Sequence, residues 1–575
     1  MSWRSARRAN SRPSTETRHR RSSFQVSPAF VPWLPLALAS GYLLWLIAQF
    51  SRIIDAVNLN PDAAWAPVLA LEGKSGPEGG FILVGEANHV TTIWFLMATR
   101  SLPFRSVIWE WAPFLTFLGG LGLIAWACWK VAGRWAALLA LSIGVAATPA
   151  VLLTALPEGI HGLTFFADAI LAAFLVFHAC KWKGAGTPTR AAASLLVVVV
   201  AGLTVASDPL FLVSGLLPFW AASVALWLTH RSLRNRRFAL LVTVIAALAL
   251  LVSAITGRVM HALGFRTTYA TEGYALASRE QISKNIRIFM DHLWTLGNGS
   301  APLGEEPSPV ATCMRYFVVG AATAAIGLML WILLRRLLRG REPGWLQQPL
   351  ALYLLFWIAS GVAIFGAFAL STFAAGPSDT FTYAVPVFYA LAATAPLLAQ
   401  RPGWARLPVT AGATLFCLLS FLDKGEVLLY EQVPLFKPTD RVGAEVISFL
   451  TAQGVSRGYA DYYNSHPLTH LSEGRIHSYP VLPCRQPVSR ELCPFPVNTR
   501  TAWYRPVNGT RSFVLFDADT PTLISTPPPA DFGAPAVTGR FGGLSVFVYD
   551  YDVGSKLAAA CPWGSANFFC PPKVQ

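Results

Sequence analysis

The stretch Arg231-Ser-Leu-Arg-Asn-Arg-Arg-Phe-Ala-Leu-Leu-Val-Thr-Val-Ile-Ala-Ala-Leu-Ala-Leu-Leu-Val-Ser-Ala-Ile-Thr256 decides the fold. Arginines crowd residues 231–237, and residues 238–256 then carry no charge at all. A helix needs roughly 20 mostly apolar residues to cross a bilayer. A basic cluster at one end of such a run marks its cytoplasmic side. The stretch is both a span and a compass.

Working outward, about eleven runs of this kind are predicted on the same criterion. They fall near 31–50, 107–128, 135–154, 163–181, 190–206, 210–229, 238–256, 314–334, 350–372, 382–399 and 406–422. The pair around Ser207-Asp208-Pro209 can also be read as one broken helix. Lys130 and Arg134 share a side with Lys181, Lys183 and Arg190. Arg231 to Arg237, Arg335 to Arg341, and Arg401 with Arg406 fall on that side too. The opposite short loops, around Pro157–Gly162, Ser207–Pro209 and Thr372–Tyr383, carry no Lys or Arg. This asymmetry predicts a cytoplasmic N-terminus and, with an odd number of spans, a C-terminal portion outside.

The composition agrees. The chain has 575 residues, 54% hydrophobic and only 13% charged, about half the charged share of an average soluble domain. The 45 Lys+Arg against 30 Asp+Glu do not point to nucleic acid, because the basic residues gather at the ends of apolar runs. Residues 1–30, with Arg4, Arg7, Arg8, Arg12, Arg18, Arg20 and Arg21 among Ser and Pro, read as a disordered basic cytoplasmic tail. They are not a cleavable signal, since the run that follows is span-length.

Residues 31–422 thus form a transmembrane domain with long outside loops at 51–106 and 257–313. Residues 423–575 lose the continuous apolar pattern and read as an extracytoplasmic α/β domain. Arg441–Leu450 has helical spacing, and Ser512–Phe516 and Leu544–Tyr549 read as strands. Cys484, Cys493, Cys561 and Cys570 all fall in this segment, where disulfides persist. Local pairing is preferred among three connectivities. Zinc is disfavoured, because the spacing lacks a CxxC knuckle.

Ionisable groups concentrate at the outside end of the bundle. The first loop opens Ile54-Asp55-Ala-Val-Asn-Leu-Asn60-Pro61-Asp62-Ala-Ala-Trp65. Asp62 after Asn-Pro either caps a short helix lying on the membrane surface or serves as a base at a membrane-facing cleft. Glu86 and His89, three apart, share a face at the start of an interfacial helix. Glu110 opens the second span. Glu158 and His161 occupy the loop after the third, and Asp168 lies two turns into the fourth, seven residues beyond His161 and on the same face if the helix starts early. Asp208, before Pro209, reads as a cap. An acid below the membrane surface should face a cavity or a partner, so Asp168 is the harder one to dismiss. The second loop holds Arg258, His261, Arg266, Arg279, Lys284 and Arg287, which suits either an ordinary solvated loop or an anionic headgroup gripped by arginine. In the C-terminal segment, residues 459–477 gather Tyr462, His466, His470, His477, Asp461 and Glu473. They read as a substrate-facing edge suited to carbohydrate.

An early acid in the first outside loop, an amphipathic helix later in that loop, about eleven spans and an outside C-terminal domain together resemble the GT-C superfamily of membrane glycosyltransferases. The phrases Gly458–Arg475 and Gly543–Asp550 also look like parts of the outer domain in some bacterial members. The resemblance implies transfer of a sugar from a polyprenyl-phosphate donor to a glycan, lipid or protein acceptor, in a multi-pass protein of the cell (inner) membrane, among membrane lipids and without nucleic acid. It places the catalytic base at Asp62, with Asp55 as the alternative. It places substrate contacts at Glu86, His89, Glu158, His161, Asp168, Arg258, Arg266, Tyr462 and His466. It implies no organic cofactor, with Mg²⁺ or Mn²⁺ as the cation some members use. Two features differ from the family pattern. Asp62 is followed by Ala63 where many members pair two acids, and His89 is followed by Val-Thr where many have Pro-Pro. The competing readings are a transporter or flippase of a lipid-linked or anionic solute, and a non-catalytic membrane assembly protein.

Overall fold

The apolar run 238–256 lies inside one long helix, Leu233–Ala262, which starts where the Ser232 side chain accepts the backbone N–H of Asn235 at 3.2 Å. The computed structural model describes residues 33–56, 61–72, 81–84, 89–156, 161–181, 184–229, 232–268, 275–296, 349–372, 383–400, 406–422, 441–483, 492–495, 498–517 and 532–557, with positions 316, 320 and 327. The basic tail, the run near 314–334 apart from those three positions, and Cys484, Cys561 and Cys570 lie outside the described residues. Cys493 is buried and disulfide-bonded.

The helices in chain order are α1 (Trp33–Ala56), α2 (Pro61–Glu72), α3 (His89–Thr99), α4 (Arg105–Ala132), α5 (Arg134–Val145), α6 (Pro149–Leu152), α7 (Gly162–Lys181) and α8 (Thr187–Ser207). There follow α9 (Leu217–Thr229), α10 (Leu233–Ala262), α11 (Arg279–Leu296), α12 (Pro349–Leu370), α13 (Val385–Thr394) and α14 (Arg406–Leu422), and in the C-terminal part α15 (Arg441–Ala452) and α16 (Tyr462–Leu471). Among the described residues six helices are long and apolar enough to cross a membrane: α1, α4, α7, α8, α10 and α12. The runs expected near 135–154, 210–229, 382–399 and 406–422 are shorter helices or broken ones.

The breaks have local causes. Thr148 precedes Pro149, a position that disfavours helix, so α5 stops at Val145. The carbonyls freed there would be costly in an apolar interior. Tyr42 Oη donates to the Ala147 carbonyl at 3.0 Å and Ser420 Oγ to that of Ala146 at 2.7 Å. Pro218 lacks the N–H that would close a helical turn onto Ser214. The chain opens into a π-helical turn over Leu212–Leu216, in which Leu217 N reaches back to the Leu212 carbonyl. Close packing needs small residues elsewhere. A Cβ at Gly202 of α8 would sit 2.8 Å from the Ala249 carbonyl of α10.

The strands are β1 (Phe81–Val84), β2 (Phe265–Thr268), β3 (Arg457–Ala460), β4 (His477–Pro483), β5 (Leu492–Pro494), β6 (Thr499–Arg500), β7 (Ser512–Asp517), β8 (Val537–Phe541) and β9 (Leu544–Tyr549). Six form a mixed sheet in the order β5-β4-β3-β7-β9-β8, with β3 parallel to β4 and β7 and the outer pairs antiparallel. Side chains alternate between faces. Phe513, Leu515, Val546 and Val548 pack under α15 and α16. Val514, Phe516 and Tyr549 join a second core with Trp65, Val68 and Leu69 of α2, Ile93 and Leu96 of α3, Trp109 of α4, Met260 of α10 and Phe265 of β2.

The other sheet ties the long segments together. Its order is β2-β1-β6, with Phe81–Val84 parallel to Phe265–Thr268 and Ile82 opposite Thr499. One strand comes from each of the three stretches expected outside, so all three lie at the same end of the helical bundle. The helix begun by Pro61 and Asp62 was expected to lie on the membrane surface. It is buried instead, because α3, and α16 of the C-terminal domain, pack against it.

At the centre of that sheet Arg457 Nε lies 3.0 Å from Asp552 Oδ2, and both side chains are largely buried. Asp552 also accepts Tyr459 Oη at 2.9 Å and the N–H groups of Val507 and Gly554. Removing one partner of a buried ion pair leaves the other charge stranded, at a cost of about 3–5 kcal/mol. Asp552→Ala should therefore lower the unfolding temperature of the C-terminal domain sharply. Asp550→Ala, which breaks only the exposed pair with Arg511, should cost about 1 kcal/mol or less. Thermal unfolding of the two variants in detergent, read by intrinsic fluorescence, checks the contrast.

Candidate active site

The bundle end beneath this assembly carries two buried acids. Asp208 follows the last turn of α8, its backbone N–H bonded to the Thr204 carbonyl at 2.7 Å. Its Oδ1 accepts the N–H of Leu210 at 3.0 Å, the capping turn that Asp before Pro suggests. Its Oδ2 lies 2.7 Å from His161 Nδ1 and accepts the hydroxyl of Thr164. With a carboxylate as acceptor the imidazole is the donor, so Nδ1 of His161 carries a proton. His161 and Asp208 are both about 1% exposed.

Asp168, one helical step deeper in α7, points the other way. Its Oδ1 accepts Ser214 Oγ at 3.2 Å from the π-helical turn. Gly215 makes that approach possible, because a Cβ there would collide with Asp168 Oδ1 and the Phe211 ring. Oδ2 of Asp168 has no hydrogen-bond partner and is the one buried carboxylate oxygen without one among the described residues. Tyr389 of α13 lies nearby, its ring 5.2 Å from Phe165, and the Tyr383 ring stands 5.0 Å from His161. Thr91 of α3 donates its N–H to Ser207 Oγ at 3.3 Å, which seats this helix on α8 immediately beside Asp208.

The structure therefore brings His161, Asp208, Asp168 and Ser214 into one cluster under α3. His161 and Asp168 would stack on one face only in a helix that starts early; α7 starts at Gly162, and each takes its own partner. Asp62 is the second residue of α2, Asp55 the penultimate residue of α1 and His89 the first of α3; their side chains are outside the described residues, as are Glu86 and Glu158 altogether. Arg258 is exposed near the end of α10. Arg266 sits in β2 opposite Ile82 of β1.

In the C-terminal domain Tyr462 stacks on Phe495 at 4.4 Å and accepts Asn498 Nδ2 at 2.8 Å. His466 does not form an exposed edge. It is fully buried, 5.6 Å from the Tyr462 ring and 5.9 Å from Trp503, because Asp461 caps α16 and turns that face inward. Spacing along the sequence gave no sign of Glu72, the last residue of α2. Its Oε2 accepts Trp503 Nε1 at 2.9 Å and lies 3.7 Å from Arg500, and its Oε1 lies 3.7 Å from His477 Nδ1. Burial raises the Glu72 carboxyl above its usual range, against the hydrogen bond from Trp503 and the charge of Arg500. The signal available was a lone acid closing an apolar helix.

Coordinates of known proteins give the fold its context. The chain is similar to the crystal structure of ArnT from Cupriavidus metallidurans in the apo state, with a TM-score of 0.50 at 11% identity over 91% of this chain and 99% of that one. The two chains share a fold. A second crystal structure, ArnT from the same organism bound to undecaprenyl phosphate, aligns with a TM-score of 0.48 at 15% identity over 88% of this chain and 98% of that one. No protein-family model and no curated protein matches the sequence.

Burial also sets an acid limit on the C-terminal part. It pushes His466 down to about 3 and His470 to about 4, and lowers His477 with help from the Arg457 charge. Neutral buried histidines contribute stability above the unfolded value near 6.5, and it is lost as pH falls toward those lower values. Glu72, raised rather than lowered, works in the opposite sense. Its share is present below its unfolded value and is lost as pH climbs through the folded one. The unfolding temperature of the C-terminal domain should fall between pH 6.5 and about 4, and His466→Gln should flatten that slope. A pH series of melting curves on both proteins checks this.

Proposed function

We propose that this chain transfers a sugar from a polyprenyl-phosphate donor to a cell-envelope glycan, lipid or protein acceptor on the extracytoplasmic face of the membrane. It would cross the membrane about eleven times, with the N-terminus cytoplasmic and the C-terminal domain outside, as the basic loops require. The observation that carries the reading is the place of α2. The helix that carries Asp62 in its first turn is held at the bundle end where all three long segments converge, in a GT-C-type fold.

The chemistry needs a base, a stabilised cationic ring and help for a departing phosphate. Asp62 takes the proton of the acceptor hydroxyl as its oxygen bonds to the anomeric carbon. The bond from that carbon to the phosphate oxygen breaks, its electron pair stays on that oxygen, and polyprenyl phosphate departs. Arg258 and Arg266 hold the leaving phosphate, where fixed positive charge beside a partly dry site counts most. Asp55, Glu86, His89, Glu158 and the His161–Asp208 pair orient the acceptor and tune the base. The free oxygen of Asp168 is the natural acceptor for a substrate hydroxyl that reaches the cluster. Tyr462 offers a stacking face to the acceptor, with His466 packed against it from inside.

Mg²⁺ or Mn²⁺ would want several oxygen ligands. Asp208 is already committed to His161, Thr164 and Leu210, and among the described residues no three His, Cys, Asp or Glu side chains converge on one point.

Asp62→Asn keeps the size of the side chain and removes the base, so transfer should fall by roughly 10²-fold or more. Membranes from a deletion strain, complemented with the native chain or with Asp62→Asn, should differ by mass spectrometry. The deletion and the variant should both accumulate one polyprenyl-phosphate sugar and lack one glycan residue. Full transfer by a correctly inserted Asp62→Asn protein would remove Asp62 from the role of base.

A further inference from the structure

The grip on Glu72 ends a chain of directional contacts that reaches back to the centre of the C-terminal sheet. The Glu72 carboxylate is 11% exposed and accepts Trp503 Nε1 at 2.9 Å. Trp503 is itself buried and stacks on Tyr479, centroids 5.2 Å apart. The Arg457 guanidinium lies over the Tyr479 ring at 4.8 Å and donates to the carbonyls of Trp503 and Arg505. Arg457 is paired in turn with Asp552. Every link is buried or nearly so, and each is fixed in direction as well as distance.

The described remainder of α2 is mainly apolar. Apolar burial holds a helix against a surface, but it is non-directional and does little to fix slide or rotation. Pro67 also removes the helical bond to the Ala63 carbonyl, so the first turn of α2 depends on whatever fixes the helix as a body. At 1.5 Å per residue, Asp62 and Glu72 stand about 15 Å apart along the axis. A polar grip at the far end therefore sets the placement of the near one.

We propose that Glu72 is a positioning residue, the carboxylate by which the C-terminal sheet domain grips α2 and so sets where Asp62 sits at the bundle end. The inference rests on the reading of Asp62 as the base. It gives the C-terminal domain a second task besides acceptor contact, that of aligning the catalytic helix. Breaking the grip would let α2 shift without exposing the sheet. Misplacing a reacting group by about 1 Å costs on the order of 10²-fold in rate, and a loosened helix samples the right place part of the time.

The test uses the full chain in liposomes, with polyprenyl-phosphate sugars extracted from host membranes as donor. Native protein, Glu72→Ala and Glu72→Gln are compared by initial rates and by hydrogen exchange. Glu72→Ala should lower kcat by about tenfold or more, with donor KM changed less than about twofold. Exchange should rise in residues 61–72 while residues 512–549 keep their protection. Glu72→Gln retains an acceptor for Trp503 and should recover most of both signals. The proposal is overturned if residues 61–72 stay protected in Glu72→Ala. It is equally overturned if the sheet loses protection together with α2 and Glu72→Gln restores neither. The two readings fail separately. If Asp62→Asn retains transfer while Glu72→Ala still loosens α2 alone, the base is wrong and the grip stands. If Asp62→Asn is inactive and α2 stays protected, the grip is wrong and the base stands.

Discussion

A helix that is apolar on every side must be covered on every side, and α2 imposes that condition here. Ala64, Trp65, Ala66, Val68, Leu69 and Ala70 are all buried, and fully burying a residue such as Trp65, Val68 or Leu69 is worth about 2 kcal/mol apiece. The bundle end alone does not cover this helix. α3, and α16 of the C-terminal domain, pack directly on it, and Tyr459, Val514, Phe516 and Tyr549 belong to the same buried core. The three-stranded sheet then fixes the register between segments hundreds of residues apart, with Phe81 opposite both Phe265 and Arg500. What the sequence presents as two loops and a tail domain is one layer over one end of the bundle.

The bundle end meets that layer with its polar groups already provided for. The last carbonyls of α12, at Phe368 and Ala369, and that of Ser371 are taken by Asn285 Nδ2 of α11. The carbonyl of Leu296, at the end of α11, is taken by Thr148. Asp208 accepts three donors. Against this background one free oxygen on Asp168 stands out. A polar atom left over in an apolar interior costs free energy unless something meets it, and at this end of the bundle a substrate hydroxyl is the partner the proposed reaction supplies.

Much of the architecture was legible, for reasons that are local. The run after Arg237 is long and uncharged, so it is a span whatever its neighbours do. Ser512–Phe516 and Leu544–Tyr549 are strands with few polar breaks because both sheet faces are covered. The misses are non-local. The stop at Val145 depends on hydroxyls at Tyr42 and Ser420, far away in the chain. His466 looked like an edge residue because its neighbours are polar, yet Asp461 and Asn464 are spent on capping α16. Glu72 meets Trp503 across 431 residues, a separation no spacing rule reaches. Within the site, His161 and Asp168 were legible as acids and bases out of place in an apolar chain. Ser214 and Gly215 were not, because their roles exist only once a π-helical turn has formed.

The most direct test of the account is turnover by the purified chain. The protein, reconstituted in liposomes with a polyprenyl-phosphate sugar and membrane-derived acceptors, is followed by mass spectrometry of the lipid fraction. The account predicts that the donor is consumed, that free polyprenyl phosphate appears in equal amount, and that an acceptor gains the mass of one sugar. A donor that stays intact, whether left in place or moved across the bilayer unchanged, would contradict it.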